Sequence, residues 1–136
     1  MRIKIPAEYD EITIVDSFNC YIVKNGEYEG VISNKDGSVI IPIRHYNEIT
    51  IPVVNTFNER FEDYGCAIVR NGDKYGLVCL ENGECLIECV CWSIRQVKNK
   101  PFVNVVRIIL NKEEKHVLRS KIFSLKSKEY ISRSEV

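Results

Sequence analysis

Short apolar runs that end at Asn-Gly or Asp-Gly alternate with polar residues, and this pattern occurs twice along the chain. A repeat of 46 residues relates the two copies: Val23-Lys24-Asn25-Gly26 to Val69-Arg70-Asn71-Gly72, Gly30-Val31-Ile32 to Gly76-Leu77-Val78, and Asp36-Gly37-Ser38 to Asn82-Gly83-Glu84. A fixed long period is typical of arrays of small supersecondary units, since each unit is too small to bury its own apolar face.

Each copy is predicted to be a three-stranded antiparallel meander. Asn-Gly favours a tight hairpin turn in which both central residues have positive φ, and we place such turns at Asn25-Gly26 and Asn71-Gly72. Turns of the same kind are expected at Asp36-Gly37 and Asn82-Gly83. The first strands, Cys20 to Val23 and Cys66 to Val69, are apolar at every position. They should therefore be covered on both faces.

The C-terminal part fits a divergent third unit. Ile122 to Ile131 follows Val31 to Ile40 in pattern, and a hairpin is predicted around Asn111-Lys112-Glu113-Glu114, between Val103 to Leu110 and His116 to Ser120. Terminal repeats often differ because they cap the stack. The chain is therefore predicted to be a single all-β domain, 1–136, of about three repeats (3–43, 44–89 and 90–133). These hairpin repeats are expected to stack as a short open array of antiparallel meanders.

The segments between the units repeat as well. Ile5-Pro6-Ala7-Glu8-Tyr9-Asp10-Glu11-Ile12 is echoed by Ile41-Pro42-Ile43-Arg44-His45-Tyr46-Asn47-Glu48-Ile49, and we align Trp92 of a third copy with the tyrosine. If the units superpose, Tyr9, Tyr46 and Trp92 come together. Aromatic residues at one repeated position more often form a packing spine than a ligand platform.

Asn71-Gly72-Asp73-Lys74-Tyr75-Gly76-Leu77-Val78, followed by Asn82-Gly83, resembles the WG-repeat family, as does the linker at residues 5–12. The resemblance covers about residues 3–94. It implies β-hairpin repeats and a role in mediating interactions. The chain departs from the family pattern at two places, because Tyr75 and Glu29 stand where the family has tryptophan.

The charge and the hydropathy of the chain limit the classes of partner that it is expected to bind. The formal net charge is zero, which argues against a nucleic-acid partner, although residues 1–97 carry a net −6 and residues 98–136 a net +6. This asymmetry indicates either an acidic partner or attraction between the two ends, within one fold or between copies. We favour attraction between the two ends.

No apolar run is long enough for a membrane span or a signal peptide, so we expect no membrane partner. The six cysteines of such a chain are expected to be reduced thiols, and the location cytoplasmic.

No catalytic or cofactor site is predicted. The chain has two histidines, neither near a nucleophile signature, and no phosphate-binding loop. Cys20 and Cys66 occupy the same repeat position and are interpreted as core residues. With a turn at Asn82-Gly83, Cys79 and Cys85 point to opposite faces, whereas Cys85, Cys89 and Cys91 share a face by alternation. Their spacing is not that of a zinc site, and we interpret the cysteines as buried thiols.

One connection is longer in the second copy than in the first, and it supplies the predicted binding residues. The candidates are Pro52, Val54, Phe57, Arg60 and Phe61. Insertions into a repeat often lie on the binding face, but the same residues could instead cover an open sheet end. The predicted function is a non-catalytic module that binds another protein. The alternative is a homo-oligomer in which the acidic first two units of one copy meet the basic cap of the next.

Overall fold

The computed structural model describes residues 9–15, 20–33, 35–55 and 61–135 of the chain, and it describes the side chains of residues 9–13, 20–33, 35–52 and 64–134. The described residues form strands and one short 3-10 turn at Arg133–Glu135. The strands are β1 Glu11–Val15, β2 Cys20–Asn25, β3 Tyr28–Ser33, β4 Val39–Tyr46, β5 Glu48–Thr50, β6 Val53–Asn55, β7 Phe61–Asp63, β8 Cys66–Asn71, β9 Lys74–Cys79, β10 Cys85–Cys91, β11 Ser93–Gln96, β12 Phe102–Leu110, β13 His116–Ser124 and β14 Glu129–Ile131.

Three four-stranded antiparallel sheets follow one another along the chain. Their strand orders are β1-β2-β3-β4, β5-β8-β9-β10 and β11-β12-β13-β14, and β6 and β7 form a separate two-stranded hairpin. Each sheet passes into the next at a single residue, because β4 is followed by β5 after Asn47 and β10 by β11 after Trp92. The predicted all-β class and the array of hairpin repeats are confirmed.

The second sheet lies between the other two and is apolar on both faces. In β8, Cys66 and Ile68 pack into a cluster with the third sheet, whereas Ala67 and Val69 pack into a cluster with the first sheet. Alternation along a strand produces this division. The predicted cover on both faces is confirmed for β8, and in β2 Cys20 is buried in the corresponding cluster. Burial of these side chains is the main stabilising term of the array, at about 1.5–3 kcal/mol for a fully buried Val or Leu.

The first turn of each unit lies one residue later than predicted. Asn25 pairs with Tyr28, so the central residues are Gly26 and Glu27, and only the glycine has positive φ (65°). A glycine with positive φ in the first central position is the pattern of a type II′ turn. The prediction of type I′ turns is therefore wrong. The asparagine is the residue that pairs across the hairpin.

A side chain from the preceding linker holds each of these turns. Asp10 Oδ2 accepts a hydrogen bond from the Gly26 N–H at 2.8 Å. At the same place in the second unit, Asn47 Oδ1 accepts one from the Gly72 N–H at 2.7 Å. The repeat therefore includes the contact that ends the hairpin.

The second turn of each unit has four residues rather than two. The Cys79 N–H donates to the Glu84 carbonyl, and the Gly83 N–H donates back to the Cys79 carbonyl. Leu80 lies inside this turn and is fully buried. Cys85 pairs with Val78, so Cys79 and Cys85 belong to opposite faces, as predicted.

Gly76 lies in β9, at the place where β10 crosses β9 at a bulge. A Cβ atom at this position would lie 2.8 Å from the Ile87 carbonyl oxygen and 2.9 Å from the Cys89 Cα, and Gly30 makes the equivalent close approach to Ile41 and Ile43. The bulges shift the register of β10, so simple alternation does not hold along it. Cys91 packs against the third sheet and Cys89 against the first, and the predicted common face is wrong.

The third sheet keeps the fold of the unit but loses the contact that ends the first hairpin in the other two units. The Trp92 N–H donates to the Val106 carbonyl, as the Asn47 N–H does to Arg70, so Trp92 occupies the asparagine position and Cys91 the tyrosine position. Trp92 is 49% exposed, and its predicted place in a packing spine is wrong. The third unit therefore has neither the linker side chain nor the glycine that ends the hairpin in the other two units.

The hairpin of the third sheet consequently extends beyond the sheet. β12 and β13 have nine residues each, whereas β8 and β9 have six. The predicted hairpin around Asn111 is present: Asn111 Oδ1 accepts hydrogen bonds from the N–H groups of Glu113 and Lys115. β11 pairs with β12 only as far as Val106, and β14 pairs with β13 only as far as Ile122. We call residues 107–121 the arm.

Candidate functional site

One face of the arm forms a groove with a basic wall and an apolar floor. We call it the cationic groove; it has a volume of about 490 Å³. Its lining includes Val105, Arg107, Ile109, Arg119, Lys121 and Tyr130. The strand period explains the set, because every second residue of β12 and of β13 points to the same side.

Pairing between β12 and β13 concentrates positive charge in this groove. Arg107 lies directly opposite Arg119, and Lys121 lies opposite Val105, one step closer to the body of the sheet. Like charges directly opposite each other destabilise a sheet. In the part of the chain that the structure describes, ion pairs join Arg70 to Glu48 and Lys115 to Glu113, and none of them involves the groove. The groove thus concentrates positive charge that makes no ion pair among the described residues.

Two contacts set the position of the cations at the body of the sheet. Interaction with the Cys91 side chain raises the pKa of Arg107 above its ordinary value, and the Glu88 carboxylate adds a smaller effect in the same direction. Lys121 Nζ lies 5.5 Å from the centroid of the Tyr130 ring, within the range of a cation–π contact. Tyr130 in turn packs edge-on against Phe123, which is buried. Arg107 and Lys121 are therefore held by the sheet, whereas Arg119 lies further out on the arm.

The opposite face of the arm is apolar and exposed. Ile108 and Leu118 lie directly opposite each other, and Leu110 follows at the next position on the same face. These side chains are 44%, 54% and 61% exposed, respectively. The arm thus presents cations on one face and aliphatic side chains on the other.

The residues predicted from the long connection are placed only in part. Pro52 is buried and lines a smaller groove, of about 280 Å³, between the second and third sheets. The backbones of Val54 and Phe61 lie in the β6–β7 hairpin, where Val54 pairs with Glu62 and Asn55 with Phe61. Phe57 and Arg60 lie outside the described residues. Binding by this connection stays a prediction.

Comparison of the chain with protein-family models, with curated proteins and with solved structures finds no match. The WG-repeat resemblance therefore stays a prediction. What the site does has to be argued from its own geometry.

The cysteines are distributed differently from the prediction. Cys20, Cys66 and Cys91 are fully buried, as expected of core residues, but Cys85 is exposed. Partial burial raises the pKa of the Cys85 thiol and of the Cys89 thiol, and Glu88 adds a smaller upward effect on Cys85. Raised pKa values make both thiols poor nucleophiles at neutral pH.

Neither a metal-binding cluster nor a membrane-spanning helix occurs among the described residues. No group of three or more His, Cys, Asp or Glu side chains within them is placed to hold a metal ion. No helix among them is long and apolar enough to cross a membrane.

The sequence contained a signal for the groove that a search for charge runs does not detect. Arg119 and Lys121 are two residues apart on a predicted strand, which places them on one face. Arg107 has the same spacing from Val105 and Ile109. Only the register, however, places Arg107 opposite Arg119.

Proposed function

We propose that the protein is a non-catalytic binding module that holds an acidic segment of another protein in the cationic groove. The observation that supports this is the placement of Arg107 opposite Arg119, with Lys121 alongside and no ion pair to any of the three among the described residues. An anionic ligand would reduce the repulsion between the two arginines, since like charges directly opposite each other destabilise a sheet.

The chemistry of the groove favours carboxylates on an otherwise apolar segment. Guanidinium groups bind carboxylates through paired hydrogen bonds, and such charge-assisted bonds contribute about 1.5–3 kcal/mol each. Val105 and Ile109 supply apolar surface between the cations. A free inorganic anion would leave this surface uncovered, whereas a peptide with both acidic and aliphatic side chains would cover it.

The test uses a labelled peptide of alternating glutamate and leucine, titrated with the purified protein. The double variant Arg119→Glu/Lys121→Glu should lose at least about tenfold in affinity, the equivalent of one charge-assisted hydrogen bond. The matched control is Lys98→Glu/Lys100→Glu, which makes the same change of charge on exposed residues at the other end of the third sheet. The control should bind the peptide as the unchanged protein does.

Equal losses in the two double variants would contradict the proposal, because binding would then follow net charge and not the groove. Unchanged binding in the groove variant would contradict it as well. A single-stranded oligonucleotide serves as competitor. If it displaces the peptide and binds more tightly, the groove belongs to a nucleic-acid binder.

Self-association is the second candidate function. The exposed aliphatic face of the arm, Ile108, Leu110 and Leu118, favours it, as does the net −6 of residues 1–97 against the net +6 of residues 98–136. Sedimentation at low and at high salt tests it. An oligomer that dissociates as salt screens the charges is expected, and a monomer at every salt concentration rejects this candidate.

A further inference from the structure

The outer edge of the arm carries an unpaired strand beside the cationic groove. β13 pairs with β12 along its whole length, from His116 to Ser124, but with β14 only from Ile122 onward. Arg133 hydrogen-bonds the Ser120 hydroxyl. Within the part of the chain that the structure describes, no strand pairs with residues 116–119 on the side away from β12.

An open strand edge is a template for another strand. Alternate residues of the edge direct their N–H and C=O groups outward, and an extended chain can satisfy them by joining the sheet. Natural proteins protect such edges with a charge, a bulge or a covering loop. Among residues 116–119, Arg119 supplies such a charge.

We infer that the acidic ligand adds a strand to the edge of β13 at residues 116–119 and extends its acidic side chains over Arg119 into the cationic groove, an inference that rests on the proposed function. The two faces of the arm then fix the chemistry of the ligand. Side chains on one face of the added strand lie beside Arg119 and are acidic, and those on the other face lie beside Leu118 and are aliphatic. The ligand is thus an extended segment in which acidic and aliphatic residues alternate.

Charge complementarity and the period of the strand support this ligand over a compact acidic surface. Arg119 and Leu118 are adjacent in sequence and lie on opposite faces, and Val117 lies on the basic face between its cations and the tip. Only an extended chain also has a period of two residues, so only it can satisfy both faces along this edge.

The first test compares two peptides of the same composition, one alternating glutamate and leucine and one with the two residues in separate blocks. Strand addition predicts that the alternating peptide binds at least about tenfold more tightly, because the block peptide cannot match both faces. Equal affinities would overturn the strand inference. They would leave the proposed function intact as long as reversal of Arg119 and Lys121 still abolished binding.

The second test methylates backbone nitrogens of the alternating peptide. In an added strand only every second N–H faces the protein, so methylation of one alternate set should weaken binding by about tenfold or more and methylation of the other set should not. Both methylated peptides have the same charge and the same loss of chain freedom, so each controls for the other. Binding unaffected by either set, or weakened equally by both, overturns strand addition.

Discussion

The second and third sheets contain the same four-stranded unit, but the second is buried between two sheets and the third carries an exposed hairpin. In the second sheet, β8 is buried on both faces, its hairpin ends at Gly72, and Arg70 lies 4.0 Å from Glu48 on the neighbouring strand. In the third sheet, the hairpin extends by three residues in each strand, and Arg107 of the extension lies opposite another arginine, Arg119. In the second sheet, polar groups are paired and apolar faces are buried within the fold. In the third sheet, the arm leaves polar and apolar side chains exposed.

The comparison indicates that the contact at the first turn decides whether a unit ends within its sheet or extends beyond it as an exposed arm. Asn47 and Gly72 close the hairpin of the second sheet, and their counterparts in the third sheet are absent. Without them the strands continue past their neighbours. An exposed arm with open edges is the direct consequence.

Substitution of a core leucine should give the largest difference between the two regions. Leu77→Ala removes a fully buried side chain between the second and third sheets and should lower the free energy of unfolding by about 2–5 kcal/mol. Leu118→Ala on the arm is the control and should change it by less than about 0.5 kcal/mol. Urea denaturation measures both. A comparable loss in the two variants would show that the arm is packed and not exposed.

Gly76→Ala should have the next largest effect. The new Cβ would lie 2.8 Å from a backbone carbonyl oxygen, which cannot move without disturbing the bulge of β10, and we expect a loss of about 1–3 kcal/mol. Lys121 stands at the corresponding position of the third sheet, where β13 and β14 pair without a bulge. Lys121→Ala is therefore the control. If both variants unfold at the same urea concentration as the unchanged protein, the close approach at Gly76 is not a constraint.

A smaller, stabilising effect is expected from Asn104→Ile. Asn104 occupies the position of Ile68 on the face that would meet a further sheet, and among the described residues its Oδ1 is buried with no hydrogen-bond partner. Removal of an unsatisfied buried acceptor should raise the free energy of unfolding by about 1 kcal/mol. Thermal unfolding measures the change, and a lower melting temperature would show that this oxygen is satisfied in the folded protein.

The smallest predicted effect is a gain in stability in a variant that binds the peptide more weakly. Arg119→Glu places a carboxylate opposite Arg107, where like charges now face each other, and should stabilise the protein by about 0.2–1 kcal/mol at low salt. The gain should disappear at high salt, since the pair is exposed. The same variant should bind the glutamate–leucine peptide more weakly. A variant that is destabilised and binds more weakly would indicate a structural role for Arg119.

Much of the fold could be predicted because its signals are local. The repeat at Gly30 and Gly76, the position of each hairpin and the apolar first strands all follow from residues close together in sequence. The errors arose where the backbone departs from a regular ladder. Alternation placed Cys89 and Cys91 on one face, whereas the bulges of β10 separate them into two clusters. A bulge depends on how a neighbouring strand crosses, and no local pattern reports that.

The candidate site was harder to predict for a related reason. The sequence places Arg119 and Lys121 on one face of a strand, but whether Arg107 meets them depends on the register between two strands and on the length of the turn that joins them. The predicted binding residues came instead from the longest connection, since length is visible in a sequence and register is not.

The sequence by itself determined the three strands of each meander, the number of repeated units and the apolar faces that hold them together, because these depend on residue type and period. It did not predict that the linkers add a fourth strand to each sheet, as β1, β5 and β11 do. Only the tertiary structure decided which unit is enclosed and which is open. The second sheet is buried because another sheet packs on each of its faces. The third sheet has an exposed arm because its linker and its first turn lack the contact that ends the hairpin in the other two sheets. Those are relations between distant residues, and they become visible only when the chain is folded.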